Sequence, residues 1–245
     1  MFSIVTVVYN AAETIERTIN SVLNQSFKNF EYLIIDSEST DGTTELIRKY
    51  VEQDPRIRHI CEKDSGIYDG MNKGINLSKG GYINLLNADD YYSNNDVLEY
   101  IYHEIENTKK NAPLEIILGN MRLSTPNIEL IPKMDRWRWH MGLNHPTWFV
   151  NRNVYEKLGN FNVTYLVSAD FDFAQRCILA NLKISVIQET LVCFSTEGIS
   201  STSYKGYLED YRIRRKNQTV NHILNVILLS KYTMEYLIAK IKRWF

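Results

Sequence analysis

Cysteine is scarce in this chain of 245 residues, which contains only Cys61, Cys177 and Cys193. No two of them have the spacing of a zinc-binding or redox motif, and a small odd number is typical of a protein from a reducing compartment. Long apolar runs are missing too. No stretch of 18 apolar residues occurs, and the first residues have neither a basic region nor a small-residue cleavage site. We therefore expect neither a membrane-spanning helix nor a signal peptide.

Glycine-rich phosphate-binding motifs are also absent. No Gly-x-Gly-x-x-Gly follows the first predicted strand, and no Gly-x-x-x-x-Gly-Lys-Ser/Thr occurs anywhere. These absences argue against dinucleotide binding of the Rossmann type and against P-loop chemistry. The net charge of −1 gives no overall field that would attract nucleic acid. Any grip on phosphate must come from side chains and a metal.

The first half of the chain instead alternates strand and helix patterns. Runs of β-branched and aromatic residues predict strands, and apolar residues at helical spacing predict helices between them. Such alternation favours an α/β fold with a mostly parallel sheet and right-handed crossovers. The predicted strands are 2–9, 30–35, 56–61 and 82–86.

After about residue 112 the rhythm changes. Residues 120–132 have the alternation and turn residues of an antiparallel excursion, and a last strand is predicted over 183–194. From residue 205 to 245 the chain is predicted to be helical and carries nine Lys and Arg against three Asp and Glu, a net charge of +6. We expect one domain over 1–204 and a basic helical tail over 205–245. The tail either lies on an anionic membrane surface or packs on the domain with a solvated basic face.

Polar side chains follow three of the predicted strands. Tyr9 ends the first strand, Asp36 ends the second, and Asn87, Asp89 and Asp90 follow the fourth. In open α/β sheets ligands bind beyond the carboxyl ends of the strands. Adjacent carboxylates suit a hard divalent cation that bridges to phosphate oxygens, although an acidic turn that caps the next helix has the same composition.

These segments together resemble family 2 glycosyltransferases of the GT-A fold, among them bacterial surface-polysaccharide glycosyltransferases. The resemblance covers roughly residues 3–195 and is most specific over the first 95. It rests on residues 3–10, on Ile34-Ile35-Asp36 with residues 39–43, on residues 64–74, and on Leu86-Asn87-Ala88-Asp89-Asp90. It implies transfer of a sugar from a nucleotide-sugar with inversion, usually with Mn²⁺ or Mg²⁺. It also implies a nucleotide-sugar half over 1–112 and an acceptor and catalytic half over 113–204.

The resemblance assigns roles by position. The residues placed on the nucleotide side are Thr6, Tyr9, Asp36, Asp64, Lys73, Asn87 and Ala88. Asn87-Ala88-Asp89 occupies the family's Asp-x-Asp, with Asn in place of the first Asp. An amide can still hydrogen-bond a ribose hydroxyl, and Asp89 keeps the position expected on the metal.

In the second half, Asp170 matches the family's general base, while Ala169 stands where a Glu often precedes it. Asp170 could instead be only the N-cap of the next helix, and Asp172 is the second candidate for the base. His145 falls where similar enzymes carry a His near the diphosphate or metal, although a lone His is usually structural. Trp137 and Trp139, with His140 beside them, are candidates for stacking on the acceptor or for packing against the tail.

The sequence therefore predicts an inverting glycosyltransferase that uses a UDP-sugar and a saccharide or lipid-linked saccharide acceptor. Polysaccharide assembly in the cytoplasm, or on the cytoplasmic face of the inner membrane, is the expected setting, and no nucleic acid is expected as a partner. A nucleotidyltransferase would need a glycine-rich basic loop after the first strand, which residues 7–12 do not provide. A catalytically silent sugar-nucleotide-binding or scaffold protein is the alternative from another class, favoured by Asn87 and Ala169.

Overall fold

The computed structural model describes residues 1–108, 113–139, 141, 144–195 and 204–242. Within these residues the chain forms one mixed sheet flanked by helices. The strands are β1 Phe2–Val8, β2 Phe30–Asp36, β3 Ile57–Cys61, β4 Tyr82–Leu85, β5 Tyr91–Tyr92, β6 Ile116–Leu123, β7 Glu129–Leu130, β8 Phe149–Asn151 and β9 Ile184–Phe194. The helices are α1 Ile15–Leu23, α2 Thr43–Gln53, α3 Ile67–Leu77, α4 Val97–Thr108, α5 Arg152–Leu158, α6 Ala169–Leu179, α7 Tyr204–Lys216 and α8 His222–Lys242.

The strand order is β3-β2-β1-β4-β8-β6-β9-β5, with β7 paired to β6. The first four strands in the chain run parallel, as the alternating pattern predicts. β8 enters between β4 and β6 and runs antiparallel to both, while β9 is parallel to β6. One continuous sheet therefore joins the segments on either side of residue 112, and its strands β1 to β4, β6 and β9 all end at the same edge.

The strands of the first half are apolar on both faces because helices cover both sides of the sheet. Every residue of β2 is buried. α1, α2 and α4 pack on one face through residues such as Ile19, Ile47 and Leu98. α3, α5 and α6 pack on the other through Met71, Tyr155 and Phe173. A strand buried on both faces reads as a continuous apolar run, which explains the sequence pattern.

Two glycines let α3 lie directly against β1. A Cβ on Gly74 would stand 2.2 Å from Val5 Cγ1, and a Cβ on Gly70 would stand 2.6 Å from Val7 Cγ1. Both separations are shorter than real carbon contacts, so only glycine permits this approach. The close packing brings the N-terminus of α3 beside the tip of β1, at the edge where the polar strand ends lie.

The antiparallel excursion predicted over 120–132 is confirmed by β7, which pairs with β6. The predicted helical tail is confirmed as two helices, α7 and α8, separated by residues 217–221. α7 packs on the domain: its Glu209 and Arg214 side chains are both buried. Its opposite face keeps Arg212 and Arg215 exposed. Among the described residues no helix has the length and apolarity needed to cross a membrane.

Candidate active site

The ends of the parallel strands bring most of the predicted nucleotide-side residues to one edge of the sheet. Tyr9 follows β1 and is 64% exposed, so its ring is free to contact a ligand. Thr6 is different. Its side chain is fully buried, and its hydroxyl lies 3.0 Å from the Tyr32 hydroxyl within the core. The Thr6 side chain therefore cannot make the expected contact with a nucleotide base in this structure. The adjacent residue on β1, Val7, is partly exposed.

Asp36 lies at the tip of β2 with no exposed surface. Its Oδ1 accepts a hydrogen bond from the Ser39 backbone at 3.0 Å, and its Oδ2 accepts one from the Thr44 hydroxyl at 2.5 Å. Burial alone raises the pKa of this carboxyl, but the hydrogen bonds from Ser39 and Thr44, with His59 nearby, outweigh it and leave the pKa below its usual value. Asp36 is thus an ionised acceptor fixed at the strand tip.

Asp64 lies just before α3, and Lys73 lies on that helix. Asp64 Oδ1 accepts the Gly66 N–H at 3.0 Å, immediately before the helix begins. The Lys73 ammonium donates to the Lys63 carbonyl at 2.7 Å and pairs with Glu62 at 3.1 Å. Both side chains hold the connection between β3 and α3, and both stay partly accessible at the edge that carries the other strand tips.

The segment after β4 is a tight loop anchored on both sides. The Thr18 hydroxyl lies 3.0 Å from the Ala88 carbonyl and 2.7 Å from the Asp90 carbonyl, and Arg17 donates to the Asp89 carbonyl at 3.0 Å. Asn87 donates through Nδ2 to Asp90 at 3.1 Å, and its Oδ1 is buried without a partner among the described residues. The loop therefore holds one buried amide oxygen, Asn87 Oδ1, that receives no hydrogen bond from a described residue.

The two carboxyls of this loop differ in environment. Asp89 is partly exposed, and burial raises its pKa above the usual value. Asp90 is fully buried and accepts the Ser195 N–H at 2.9 Å. Burial first, and then the neighbouring Asp89 charge, raises the pKa of Asp90 to about 8. Asp90 ties this loop to the segment that follows β9, while Asp89 remains the carboxylate that can meet a ligand. The Asp90 carboxylate therefore has a structural role, but its partners are Ser195 and Asn87 rather than the start of α4, so it is not the helix cap of the alternative interpretation.

His145 lies in a short 3₁₀ turn that leads into β8. Asn84 of β4 is opposite Phe149 in the antiparallel pairing, and the Asn84 amide donates to the Pro146 carbonyl at 3.0 Å. The segment before β8 consequently runs beside the end of β4, the strand that leads into the Asn87–Asp89 loop. Aromatic rings of Trp148 and Phe161 flank the imidazole, and burial lowers the His145 pKa to about 4. A neutral imidazole is the form that binds metals.

Asp170 is the second residue of α6 and is partly exposed. The Tyr68 hydroxyl shares its hydrogen between the Val167 carbonyl at 2.7 Å and Asp170 Oδ1 at 3.2 Å, and the Phe171 N–H donates to the same oxygen at 2.9 Å. Burial raises the pKa of Asp170 to about 6, while these hydrogen bonds oppose the rise. The N-cap of α6 is Ser168 rather than Asp170. A carboxyl with this pKa, held from two sides, has the properties of a general base near neutral pH.

Asp172 does not fit the role of second candidate for the base. Its side chain is 1% exposed and accepts a hydrogen bond from Arg176 at 2.9 Å, with Lys216 of α7 at 3.5 Å. Arg176 also donates to the Leu158, Gly159 and Asn160 carbonyls. The structure therefore gives Asp172 a buried ion pair that joins α6 to α7, which leaves Asp170 as the accessible carboxylate of this helix.

Trp137 and Trp139 lie on the segment that precedes the 3₁₀ turn. The Trp139 carbonyl accepts a hydrogen bond from Arg214 at 2.9 Å, and the Trp137 carbonyl accepts one from Gln175 at 3.3 Å. Their backbone is thus packed against α6 and α7, as one of the two sequence alternatives expects. The Trp139 side chain is 37% exposed and remains available for stacking. His140 lies outside the described residues.

Two residues of this site, Tyr68 and Glu209, make contacts that the sequence does not predict. Tyr68 contacts Asp170 across 102 positions of the chain. Glu209 of α7 accepts three backbone N–H groups of the segment before α6, from Leu166, Val167 and Ser168, at 2.9, 2.9 and 3.0 Å. Each looks like an ordinary helical residue in its own segment. Only the three-dimensional packing shows that both hold the start of α6.

The sheet, its polar strand ends and the two loops around Asp89 and Asp170 define a glycosyltransferase of the GT-A fold. The chain belongs to glycosyl transferase family 2, whose sequence profile matches residues 3–168. It is 27% identical over 207 residues to a PGL/p-HBAD biosynthesis glycosyltransferase of Mycobacterium tuberculosis, covering 82% of this chain and 80% of that protein. A putative teichuronic acid biosynthesis glycosyltransferase of Bacillus subtilis, TuaG, is 38% identical over 91 residues, which are 37% of this chain and 36% of TuaG.

Solved structures agree on the fold. S. aureus TarS 1-349 in complex with UDP-GlcNAc superposes with a TM-score of 0.73 at 18% identity, covering 95% of this chain and 71% of that one. The match covers only 42% of the longer TarS chain. The mannosyltransferase PcManGT from Pyrobaculum calidifontis, in complex with GDP-Man and Mn²⁺, gives a TM-score of 0.68 at 16% identity over 98% of this chain and 75% of its own. At these identities the likeness shows the fold alone.

Replacing Tyr68 by Phe tests the contact with Asp170. The Tyr68 hydrogen bond favours the ionised carboxylate, so its loss raises the pKa of Asp170. We expect the rate of sugar transfer to rise with pH around 6 in the parent enzyme. The Tyr68→Phe variant should show the same rise about half to one pH unit higher. Measuring kcat/KM across pH 5–8 checks this, with Tyr165→Phe as a nearby control; an unshifted profile would contradict the contact's role.

Proposed function

We propose that this enzyme is an inverting glycosyltransferase that moves a sugar from a UDP-sugar to a hydroxyl of a saccharide or lipid-linked saccharide. The observation that carries the proposal is the partly exposed Asp170, whose carboxyl has a pKa of about 6 and is held by Tyr68 of the donor-side helix α3. In such a reaction the acceptor hydroxyl attacks the anomeric carbon while the diphosphate leaves from the opposite face. Asp170 takes the hydroxyl proton as the new bond forms.

The donor is expected along the strand tips. Tyr9 presents an exposed aromatic face for the base, and Asp36 offers carboxylate oxygens at the next tip. The buried Asn87 Oδ1, which has no described hydrogen-bond donor, is the oxygen that we expect to accept a hydrogen bond from a ribose hydroxyl. Asp64, just before α3, and Lys73, on α3, lie at the same edge of the sheet. Support for a nucleotide-sugar also comes from TarS, which was solved with UDP-GlcNAc.

The divalent metal is expected at Asp89. Enzymes of this family generally use one, and the PcManGT neighbour was solved with Mn²⁺. The expected metal ligands fit this chemistry: the Asp89 carboxylate is partly exposed, and burial lowers the pKa of the His145 imidazole to about 4, so its nitrogen is available to a cation. Oxygen ligands of this kind suit Mn²⁺ or Mg²⁺. When bound, the ion neutralises the negative charge that develops on the leaving diphosphate.

Release of UDP from a panel of UDP-sugars, with a saccharide acceptor present, tests the proposal and its metal together. We expect Mn²⁺-dependent turnover that a chelator abolishes, because the departing diphosphate loses its counter-charge. Asp89→Asn should lower turnover about 10²-fold or more. Asp96→Asn, a surface substitution with the same loss of charge, is the control. Chelator-insensitive transfer would remove Asp89 from the metal role, and the absence of turnover with any donor would favour a silent binding protein.

The acceptor side is expected to face a membrane. Helix α8 carries an apolar stripe at helical spacing that no described part of the chain covers: Ile223, Val226, Ile227, Met234, Leu237 and Ile238. Lys231 beside the stripe is exposed, and the segment 205–245 has a net charge of +6. An apolar stripe flanked by cations is the composition of a helix that lies in a lipid interface. We place the enzyme on the cytoplasmic face of the membrane, where a lipid-linked acceptor would be presented.

Substitution within this stripe tests membrane contact. We expect the full chain to sediment with vesicles that contain anionic lipid, and Ile227→Glu together with Met234→Glu to reduce the bound fraction about tenfold or more, because two apolar anchors become charged. Lys49→Gln, paired with a second exposed substitution Lys28→Gln, gives the same change in net charge away from the tail and should have little effect. Equal loss in both variants would show simple charge attraction and contradict insertion of the stripe.

A further inference from the structure

A cluster of three metal-ligating side chains lies at the ends of β2 and β3, apart from the Asp89 loop. Asp36, His59 and Cys61 each offer one ligand atom, and the three atoms lie within 4.8 Å of one another. His59 and Cys61 are two residues apart on β3 and therefore share one face of the strand. In the parallel register Cys61 is the direct partner of Asp36. The pairing of two strands, not a sequence motif, assembles this set.

The imidazole of His59 lacks a partner where a ligand would supply one. Its side chain is 10% exposed, and Nε2 lies 3.4 Å from Asp36 Oδ2. This nitrogen is buried, and it makes no hydrogen bond to any described residue. Burial lowers the pKa of the His59 imidazole, although the neighbouring Asp36 carboxylate opposes this shift. Two electron-rich atoms at this separation repel each other unless a proton or a cation lies between them.

We propose that Asp36, His59 and Cys61 form a binding site for Zn²⁺ or a similar thiophilic divalent cation. Zinc bonds of about 2.0–2.3 Å to O, N and S in a tetrahedron place the ligand atoms about 3.3–3.7 Å apart. The Asp36 to His59 separation already has this value. Cys61 is exposed, so its thiol is free to rotate into place and the fourth position opens to solvent. Three protein ligands and one open position describe an exchangeable site.

This site differs in chemistry from the position proposed for the catalytic ion. The Cys61 thiolate favours zinc, whereas a site without sulfur that is centred on the Asp89 carboxylate favours Mn²⁺ or Mg²⁺. The two positions lie on β2 and after β4, two inter-strand spacings or about 10 Å apart. Asp36 belongs to both the cluster and the expected base pocket. If the proposed function holds, zinc bound here competes with the nucleotide for the Asp36 carboxylate and lowers donor affinity.

Titration of the full chain with Co²⁺ tests the site directly, because a thiolate bound to Co²⁺ gives a charge-transfer absorption band. We expect about one equivalent of Co²⁺ to produce the band, Zn²⁺ to displace it, and Cys61→Ser and His59→Gln to abolish or strongly weaken it. His103→Gln, which removes an exposed histidine from α4, should leave it unchanged. No band in the parent protein, or an undiminished band in Cys61→Ser, would overturn the site.

Calorimetric titration with UDP separates the site from the proposed function. At free Zn²⁺ about ten times its dissociation constant, competition should weaken UDP binding about tenfold in the parent protein and not in Cys61→Ser. A cobalt band without any effect of zinc on UDP affinity would overturn the competition and leave the metal site established. Failure of UDP to bind without zinc would instead count against the proposed function, while the cobalt result would still decide the site.

Discussion

Replacing Asp170 by Asn should lower the turnover of sugar transfer by about 10²- to 10⁴-fold, the usual contribution of a general base. The amide keeps the size of the side chain and can still accept the hydrogen bonds of Tyr68 and Phe171, but it cannot take a proton from the acceptor hydroxyl. Binding of UDP should change little, because the proposed role puts the carboxyl against the acceptor hydroxyl and not against the nucleotide. Rapid-quench measurement of transfer, beside calorimetric titration of UDP, separates the two effects.

Asp172→Asn is the matched control, since it makes the same chemical change two residues along α6. Asp172 is buried and paired with Arg176 and Lys216, so we expect a lower melting temperature and nearly normal turnover of the folded fraction. If Asp170→Asn retained the parent turnover, Asp170 would lose the role of base. If Asp172→Asn lost turnover at full stability, the base would have to be reassigned to Asp172.

The first half of the fold could be predicted because local patterns decide it. β2 is a run of seven buried residues, and a strand covered on both faces must be apolar throughout. The same run ends in Asp36 because the edge of the sheet is polar. The change from apolar to polar residues therefore indicates where the strand ends. For the same reason the apolar run 82–86 predicts that Asn87, Ala88 and Asp89 follow a strand, and they follow β4. What those side chains bind is a separate question that the strand pattern does not answer.

The remainder depends on contacts between distant segments. β8 enters the sheet between β4 and β6 through pairings such as Asn84 with Phe149, which no local periodicity encodes. Thr6 looks like a strand-tip residue in the sequence, yet its face of β1 lies under α1, so its hydroxyl is in the core. For the same reason the sequence does not decide whether Trp137 and Trp139 stack on the acceptor or pack against the tail. The hydrogen bond from Arg214 to the Trp139 carbonyl shows that this segment packs against α7. The two residues are 75 positions apart, so no local pattern could predict the contact.

Glu209 is the clearest example of such a contact. The charge count puts it in a basic tail, but in the structure its side chain lies at the start of α6, the helix that carries Asp170. Its carboxylate is 3% exposed and accepts the N–H groups of Leu166, Val167 and Ser168, the residues that lead into α6. These N–H groups lie in a segment that cannot pair them with a helix or a sheet. A buried carboxylate from α7 therefore fixes the approach to Asp170, and the tail contributes to the candidate active site.

Glu209→Ala should consequently impair both folding and catalysis. One buried and two part-buried N–H groups lose their acceptor, and we expect a loss of about 3 kcal/mol in the free energy of unfolding. For a chain of this size that corresponds to a melting temperature lower by about 6–12 °C. Turnover at a temperature where the variant is folded should also fall, because Asp170 loses its fixed position, while the affinity for UDP should stay near that of the parent.

Glu235→Ala is the control for this substitution, since Glu235 is an exposed acid on α8 and its removal changes the net charge equally. We expect it to shift stability by no more than about 0.5 kcal/mol, the usual range for a surface change. Glu209→Gln separates shape from charge: it keeps one carbonyl oxygen but turns an amide N–H toward a backbone N–H, so its stability should fall between the parent and Glu209→Ala. Parent-like stability and turnover in Glu209→Ala would show that the segment before α6 holds its position without α7. A loss of stability with unchanged turnover would restrict Glu209 to folding.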